Sequence, residues 1–305
     1  MKTIIGYVRD YFKKDCNYRY LLALCFFLGA AIFINFFVVS EDVWIKADPS
    51  SLHRLLKYLL GYFVMFGGAY SLLLFFDKDP KLRSGYLWLL VAIGVVLFSI
   101  RAWYRPESLM NSGLFPAQYY TLFYKLAVNA AGFVFLFIPV FVFWLFVERK
   151  QQRLYGLHAR GVVLWPYFVL ILLMLPLLFA AGTQADFKEM YPRAAHLYLS
   201  PTDPHRIGGT LAYEFLYSLD YVVTEFFFRG FLILAFARII GPKAILPMCA
   251  FYVSIHFDKP LGECISSFLG GGLLGILAYR SKSIYGGVIV HLGIALGMEL
   301  VGILN

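Results

Sequence analysis

The chain has 305 residues, of which 61% are hydrophobic, 19% aromatic and only 15% charged, with a mean hydropathy of +0.72. Soluble domains average about 45–50% apolar and about 25% charged residues, so this balance excludes a disordered chain and an ordinary soluble enzyme and fits a polytopic membrane protein. The net charge of +9 reads as the Lys/Arg excess of cytoplasmic loops. No Lys/Arg-rich helix or Cys/His finger accompanies it, so no nucleic-acid partner is expected.

The N-terminal segment lacks the charged, apolar and small-residue order of a cleaved signal peptide, and the first apolar run is expected to remain as a membrane helix. A bilayer core of about 30 Å needs roughly 20 apolar residues in helix, and lipid leaves helices as the economical way to satisfy the backbone. The expected fold is therefore all-α, with about nine transmembrane helices (eight to ten). In chain order they fall near 18–39, 56–76, 85–104, 119–147, 161–182, 208–238, 244–258, 261–279 and 283–303. The span at 244–258 is short and carries Pro247.

Lys and Arg mark the connections. Lys2, Arg9, Lys13 and Lys14 precede the first span, and the next loop is acidic with Glu41, Asp42 and Asp48. Lys78, Lys81 and Arg83, then Arg149, Lys150, Arg153 and Arg160, then Arg238 and Lys243, then Arg280 and Lys282 occupy alternate connections. The positive-inside rule puts the N-terminus in the cytoplasm and, with nine spans, the C-terminus outside. Loop 183–207 balances its charges and holds Pro192, Pro201 and Pro204, so it is expected to be irregular.

Ionisable residues are unevenly distributed. In the first five spans Arg101 and Lys125 stand near span ends, where they are expected to snorkel. The last four spans hold Glu214, Asp220, Glu225, Arg229, His256, Glu263, His291 and Glu299. Ionisable groups at membrane depth are costly and point to function. Glu225 and Arg229 are four apart and share a helix face. His53, His158, His196 and His205 fall in loops or at span ends and are expected to be solvated, whereas His256 and His291 lie in late spans. Counted from cytoplasmic ends near Ile240, Lys243 and Lys282, Glu225, His256 and His291 stand roughly 22, 20 and 14 Å along their helices. That is compatible with one membrane-embedded cavity.

A carboxylate there is suited to act as general base on water, and histidines to polarise a carbonyl or hold an oxyanion. The pattern points to peptide hydrolysis without a covalent enzyme intermediate. HExxH is absent and no compact zinc spacing is present, so no metal and no cofactor is expected. There is no GxSxG elbow. Cys16, Cys25, Cys249 and Cys264 lack CxxC spacing and read as small hydrophobes. Gly271 and Gly275 form GxxxG, and with Gly286 and Gly287 they are expected to let the late helices approach closely.

Thr224-Glu225-Phe-Phe-Phe-Arg229-Gly230, Phe251-Tyr252-Val-Ser-Ile-His256 and His291 resemble the three motifs of the CPBP family. These are the CAAX-protease and bacteriocin-processing proteins, also called Abi, related to type II CAAX prenyl endopeptidases. Their pattern is EExxxR, FxxxH and HxxxN or HxxxD on separate membrane helices. The resemblance covers about 155–305, with Tyr155-Gly156-Leu157 also suiting it. It divides the chain into N-terminal membrane helices, 1–154, and a CPBP-like core, 155–305.

The resemblance implies a glutamic-type intramembrane endopeptidase. Glu225 would activate water, His256 and His291 would position it or stabilise the oxyanion, and Arg229 would orient the carboxylate. Thr224 stands in place of the first Glu, Tyr252 in place of the Phe, and Ala295 in place of the Asn or Asp. The alternatives are a catalytically inactive membrane scaffold or immunity protein, favoured by Thr224 and Ala295, and a proton-coupled transporter using the same Glu/His set. The implied partners are the lipid bilayer and a peptide or membrane-protein substrate. The expected location is the cell's inner (plasma) membrane, as a multi-pass protein.

Overall fold

The computed structural model describes residues 2–158 and 162–304. Arg160, one of the basic loop residues, and Gly161, the expected start of the fifth span, lie outside the described residues. Among the described residues the regular structure is helical throughout, with no strand. The chain is an all-α polytopic membrane protein.

A short helix α1 (Lys2–Asp10) precedes α2 (Tyr18–Val38), α3 (Ser51–Phe76), α4 (Gly85–Trp103) and α5 (Ala117–Glu148). Asn17 starts α2 by accepting the N–H groups of Arg19 and Tyr20 at 3.1 and 3.2 Å, and Ser50 caps α3 through His53 N–H, satisfying donors that a helix start leaves free. Then come α6 (Trp165–Ala181) and a short α7 (Ala185–Met190). The long α8 runs Arg206–Glu225 and continues through a π-helical stretch Phe226–Ala235 into Phe236–Ile240. Helices α9 (Ile245–Ser254), α10 (Leu261–Ser281) and α11 (Tyr285–Leu304) complete the bundle.

Among the described residues, seven helical stretches are long and apolar enough to cross a membrane, with Arg206–Ser254 counted as one. The sequence expects two spans there. Gly241, at φ +62°, and Pro242 turn the chain between them, but the second member, α9, has only ten residues and reaches about 15 Å. It is a half-length helix that ends beside the polar site. Helix α6 is also shorter than a full span.

The basic connections gather at one end of the bundle. There Arg280 pairs with Asp15, Lys243 with Asp77 and Asp79 at 2.8 and 2.9 Å, and Arg238 with Glu148 at 2.9 Å. At the opposite end Asn35 donates to the Phe257 carbonyl at 2.9 Å, Lys46 meets Asp258 at 3.4 Å, and Tyr119 donates to Asp203 at 3.1 Å.

The core is centred on α8. Phe226, Phe227, Phe228, Phe231 and Phe236 are buried and pack with Phe66, Tyr70, Phe98 and Phe251, with ring centroids 5.1–5.7 Å apart in pairs such as Phe66–Phe251 and Tyr70–Phe236. A Cβ at Gly271 would meet the Tyr252 ring at 3.0 Å, and one at Gly275 would meet Ile233 at 2.9 Å. The GxxxG pair is therefore what lets α10 lie against α9 and α8.

Arg101 departs from its expected role. It turns inward and pairs with Asp220 of α8 at 2.8 Å. A buried carboxylate attracts the guanidinium more strongly than the interface does, because each otherwise remains an uncompensated charge. His158, expected to be solvated, is half-buried, and its Nδ1 has no hydrogen-bond partner among the described residues.

Candidate active site

Glu225 closes the α-helical part of α8, where the chain passes into the wider turns of the π-helical stretch. Such stretches recur at functional sites because their i→i+5 bonding redirects side chains. Here Glu225 and Arg229 face one another. Both are completely buried, with Arg229 Nη1 3.0 Å from Glu225 Oε1. The guanidinium also lies over the Tyr252 ring, 4.1 Å from its centroid, so its cationic face meets π-electron density rather than lipid.

The same Glu225 Oε1 lies 2.8 Å from His291 Nδ1, while His291 Nε2 lies 3.3 Å from the Tyr252 hydroxyl. A neutral imidazole satisfies both contacts, with Nδ1–H donating to the carboxylate and Nε2 accepting the Tyr252 O–H. Tyr221 meets the His291 ring edge-on at 4.6 Å and shares a 2.9 Å hydroxyl contact with Tyr217. The imidazole is thus held on three sides.

His256 joins through Tyr252. Its Nδ1 lies 2.8 Å from the Tyr252 carbonyl, and its ring packs edge-on to Tyr252 at 4.7 Å. If Nδ1–H is the donor, Nε2 is the free basic nitrogen. The loop that carries His256 is tied to the first half of the chain by the Asn35–Phe257 and Lys46–Asp258 contacts.

Glu225 Oε2 is buried and has no hydrogen-bond partner among the described residues. A Cβ at Gly287 would overlap it, so only glycine admits α11 this close. An orphaned carboxylate oxygen inside a membrane protein calls for a functional explanation. Among the described residues no three His, Cys, Asp or Glu side chains converge as a metal-binding group.

The structure therefore joins Glu225, Arg229 and His291 directly and His256 at one remove. Sequence reasoning noted Tyr252 only as a stand-in for Phe, and the structure puts its ring and hydroxyl between the other members. Tyr221 was not singled out, although its position four residues before Glu225 carried a signal. Thr224 is half-buried, and Ala295 is fully buried in an apolar cluster with Leu178, Phe187, Tyr191, Met298 and Val301. The position where the resemblance leads one to expect Asn or Asp is an apolar packing site in this chain.

Residues 209–297 match the family model described as type II CAAX prenyl endopeptidase Rce1-like. The matched stretch, under a third of the chain, contains Glu225, Arg229, Tyr252, His256 and His291 and is similar to that family. No curated protein and no solved structure matches the chain.

Proposed function

We propose that the protein is a glutamic intramembrane endopeptidase that uses water as the nucleophile and needs no metal. The observation that carries this reading is the buried Glu225 carboxylate, with Oε1 held by His291 and Arg229 and Oε2 left free. In the proposed step Glu225 takes a proton from water, and the hydroxide oxygen bonds to the peptide carbonyl carbon. The Tyr252 hydroxyl turns its proton from His291 Nε2 to the resulting oxyanion, and His256 Nε2, the basic nitrogen, accepts a hydrogen bond from the attacking water and positions it. The C–N bond then breaks, and the proton held on Glu225 passes to the leaving nitrogen, with His291 orienting the carboxyl group. Arg229 keeps Glu225 in register and offsets its charge. Tyr252 supplies a hydroxyl where this chain lacks the third-motif Asn.

The proposed location is the plasma membrane with the N-terminus in the cytoplasm, because the Lys/Arg-bearing connections share one end of the bundle. The substrate is a peptide segment within or at the edge of the bilayer.

The test compares deletion cells carrying wild type, Glu225→Gln or His291→Ala at matched membrane levels, with new peptide termini mapped across the membrane proteome. Wild type is expected to generate termini that both variants lack, with cleavage down by at least about 100-fold, the scale of a lost general base. Full restoration of those termini by folded Glu225→Gln overturns the reading and leaves a scaffold.

A further inference from the structure

A cavity of about 440 Å³ opens at the basic end of the bundle, between loop 151–158, the last turns of α8 and the turn from α10 to α11. Buried Glu148 builds one wall. Through one oxygen it accepts from the Tyr86 hydroxyl at 2.6 Å and pairs with Arg238 at 2.9 Å; through the other it accepts from Gln152 Nε2 at 2.6 Å and from the Tyr155 hydroxyl at 2.5 Å. Gly156, at φ +78°, accepts the Ile284 N–H at 3.1 Å, and a Cβ there would meet Ile284 N and Lys282 O at 3.2 Å. Ser283 Oγ donates to the His158 carbonyl at 2.8 Å. Tyr155 packs on Phe226 and Phe231, with ring centroids 6.0 and 5.6 Å apart, which seats the loop on the π-helical stretch. The wall is thus fixed by α4, α5, α8 and the α10–α11 turn.

Arg153, Arg238 and Lys282 line this cavity, with no carboxylate among the described residues that line it. Glu148, behind the wall, has both oxygens taken and offsets Arg238. Exposed Arg153 forms no ion pair among the described residues. The Lys282 ammonium lies 4.1 Å over the Tyr279 ring and likewise has no carboxylate partner among the described residues. The carboxylate on that side, Asp15, pairs with Arg280. Burial, and then the charge of Arg280, pull Lys282 below the ordinary lysine range. His158 Nδ1, on the same wall, is buried without a hydrogen-bond partner among the described residues.

Two cations therefore stand unoffset beside a free imidazole nitrogen, in a recess of the size that holds small ligands. A phosphomonoester carries a charge of about −1.5 to −2 and three strong acceptor oxygens, which matches that surplus. The guanidinium fork of Arg153 suits two of those oxygens, and Lys282 suits phosphate as a point charge. Leu234 and Ala237 give the cavity an apolar side, against which the esterified group can rest.

We propose that this cavity is a binding site for a phosphomonoester, carried by a lipid headgroup or by a small soluble molecule, with Arg153, Lys282 and His158 as its ligands. The site stands apart from the peptidase reading, and its test needs no cleavage. Full-length protein in a neutral detergent, at fixed ionic strength, is titrated with dihexanoyl phosphatidic acid, with glycerol phosphate and with dihexanoyl phosphatidylcholine. Binding is read from the ligand-dependent rise in melting temperature. Wild type is compared with Arg153→Gln/Lys282→Gln in the wall and with Arg149→Gln/Lys150→Gln, whose side chains are exposed at the same end but do not line the cavity.

Wild type is expected to bind phosphatidic acid at least about tenfold tighter than phosphatidylcholine. The wall variant is expected to lose at least about tenfold in that affinity, and the outside pair less than about threefold. Binding of glycerol phosphate within about threefold of the lipid assigns the site to a soluble ester, and weaker binding assigns it to a lipid headgroup. Phosphatidic acid bound no tighter than phosphatidylcholine overturns the proposal. An equal loss in the two double variants also overturns it, because a general basic surface then accounts for the binding. Should the wall variant not fold, Arg153→Gln alone, at an exposed side chain, decides by the same comparison.

Discussion

The first and second halves of the chain place their side chains in opposite environments. In α2, 17% of the most apolar window is buried against protein, whereas in Arg206–Ser254 the share is 67%. Phe26, Phe33, Phe37 and Phe75 of the first half are exposed at the bundle surface, while Phe226, Phe227, Phe228, Phe231 and Phe236 of α8 are buried. Helices α2–α5 turn much of their apolar surface outward, whereas α8 and α9 bury theirs against each other and against Phe66, Tyr70 and Phe98 of the first half. The halves also meet at a few polar points. Arg101 reaches Asp220 of α8, while Asn35 and Lys46 hold the loop that carries His256. The first half thus braces α8, the helix that carries Glu225, and the loop that carries His256.

That contrast is open to direct attack. The largest effect is expected from the brace itself. Arg101→Leu leaves Asp220 without its cation, and stability should fall by about 3 kcal/mol. Thermal unfolding in detergent measures this, and an unchanged melting temperature would show the two halves to be independent there.

Gly287→Ala comes next and tests the second half alone. Its methyl group overlaps Glu225 Oε2, so α11 or the carboxylate must shift. Under the proposed peptidase function, cleavage should drop about 100-fold, the cost of displacing the proposed base by about 1 Å, with the first half still folded as judged by protease protection of its loops.

Tyr252→Phe is milder. It removes the 3.3 Å hydroxyl contact to His291 and keeps the ring beneath Arg229. A fall in kcat of about tenfold, with little change in melting temperature, is expected for one lost hydroxyl donor. An unchanged kcat would remove Tyr252 from the mechanism.

The smallest effect concerns Glu41, in the loop of the first half. Burial pushes its carboxyl up to about 7 from the ordinary value of 4.5, against the opposing pull of Lys46. A carboxyl whose folded value is raised contributes stability that is full below its unfolded value and is lost as pH rises toward about 7. Stability should therefore decline between about pH 5 and 7, by at most about 1.4 kcal/mol per pH unit, and then level off. Glu41→Gln should flatten that profile, and an unflattened profile would assign the slope to other groups.

Much of this architecture was legible in the residues. Apolar runs of bilayer length are hard to read otherwise, and the alternation of basic connections matches the clustering of Asp15–Arg280, Lys243–Asp77 and Arg238–Glu148 at one end. The i,i+4 spacing of Glu225 and Arg229 is a local property that survived into the π-helical stretch. Arg101 was less legible, because snorkelling and inward pairing begin from the same position near a span end. Only the approach of α8 to α4 decides between them. The half-length of α9 was equally hidden, since an apolar run followed by His256 reads the same whether it crosses the bilayer or stops beside a site.

The sequence by itself determined the class of molecule, its helical spans and the residue types available for chemistry. Those follow from local physics: transfer of apolar side chains from water, backbone bonds that must close within a segment, and charges too costly to bury without purpose. The tertiary structure alone decided which charges meet. His291 lies 66 residues from Glu225 in the chain, and Tyr252 enters the site from a third helix. Glu299 binds the backbone N–H groups of Arg193 and Ala194 from 106 and 105 residues away. Contacts of that kind depend on helix approach distances set by single glycines and by the packing of aromatic rings, which no pattern along one helix encodes.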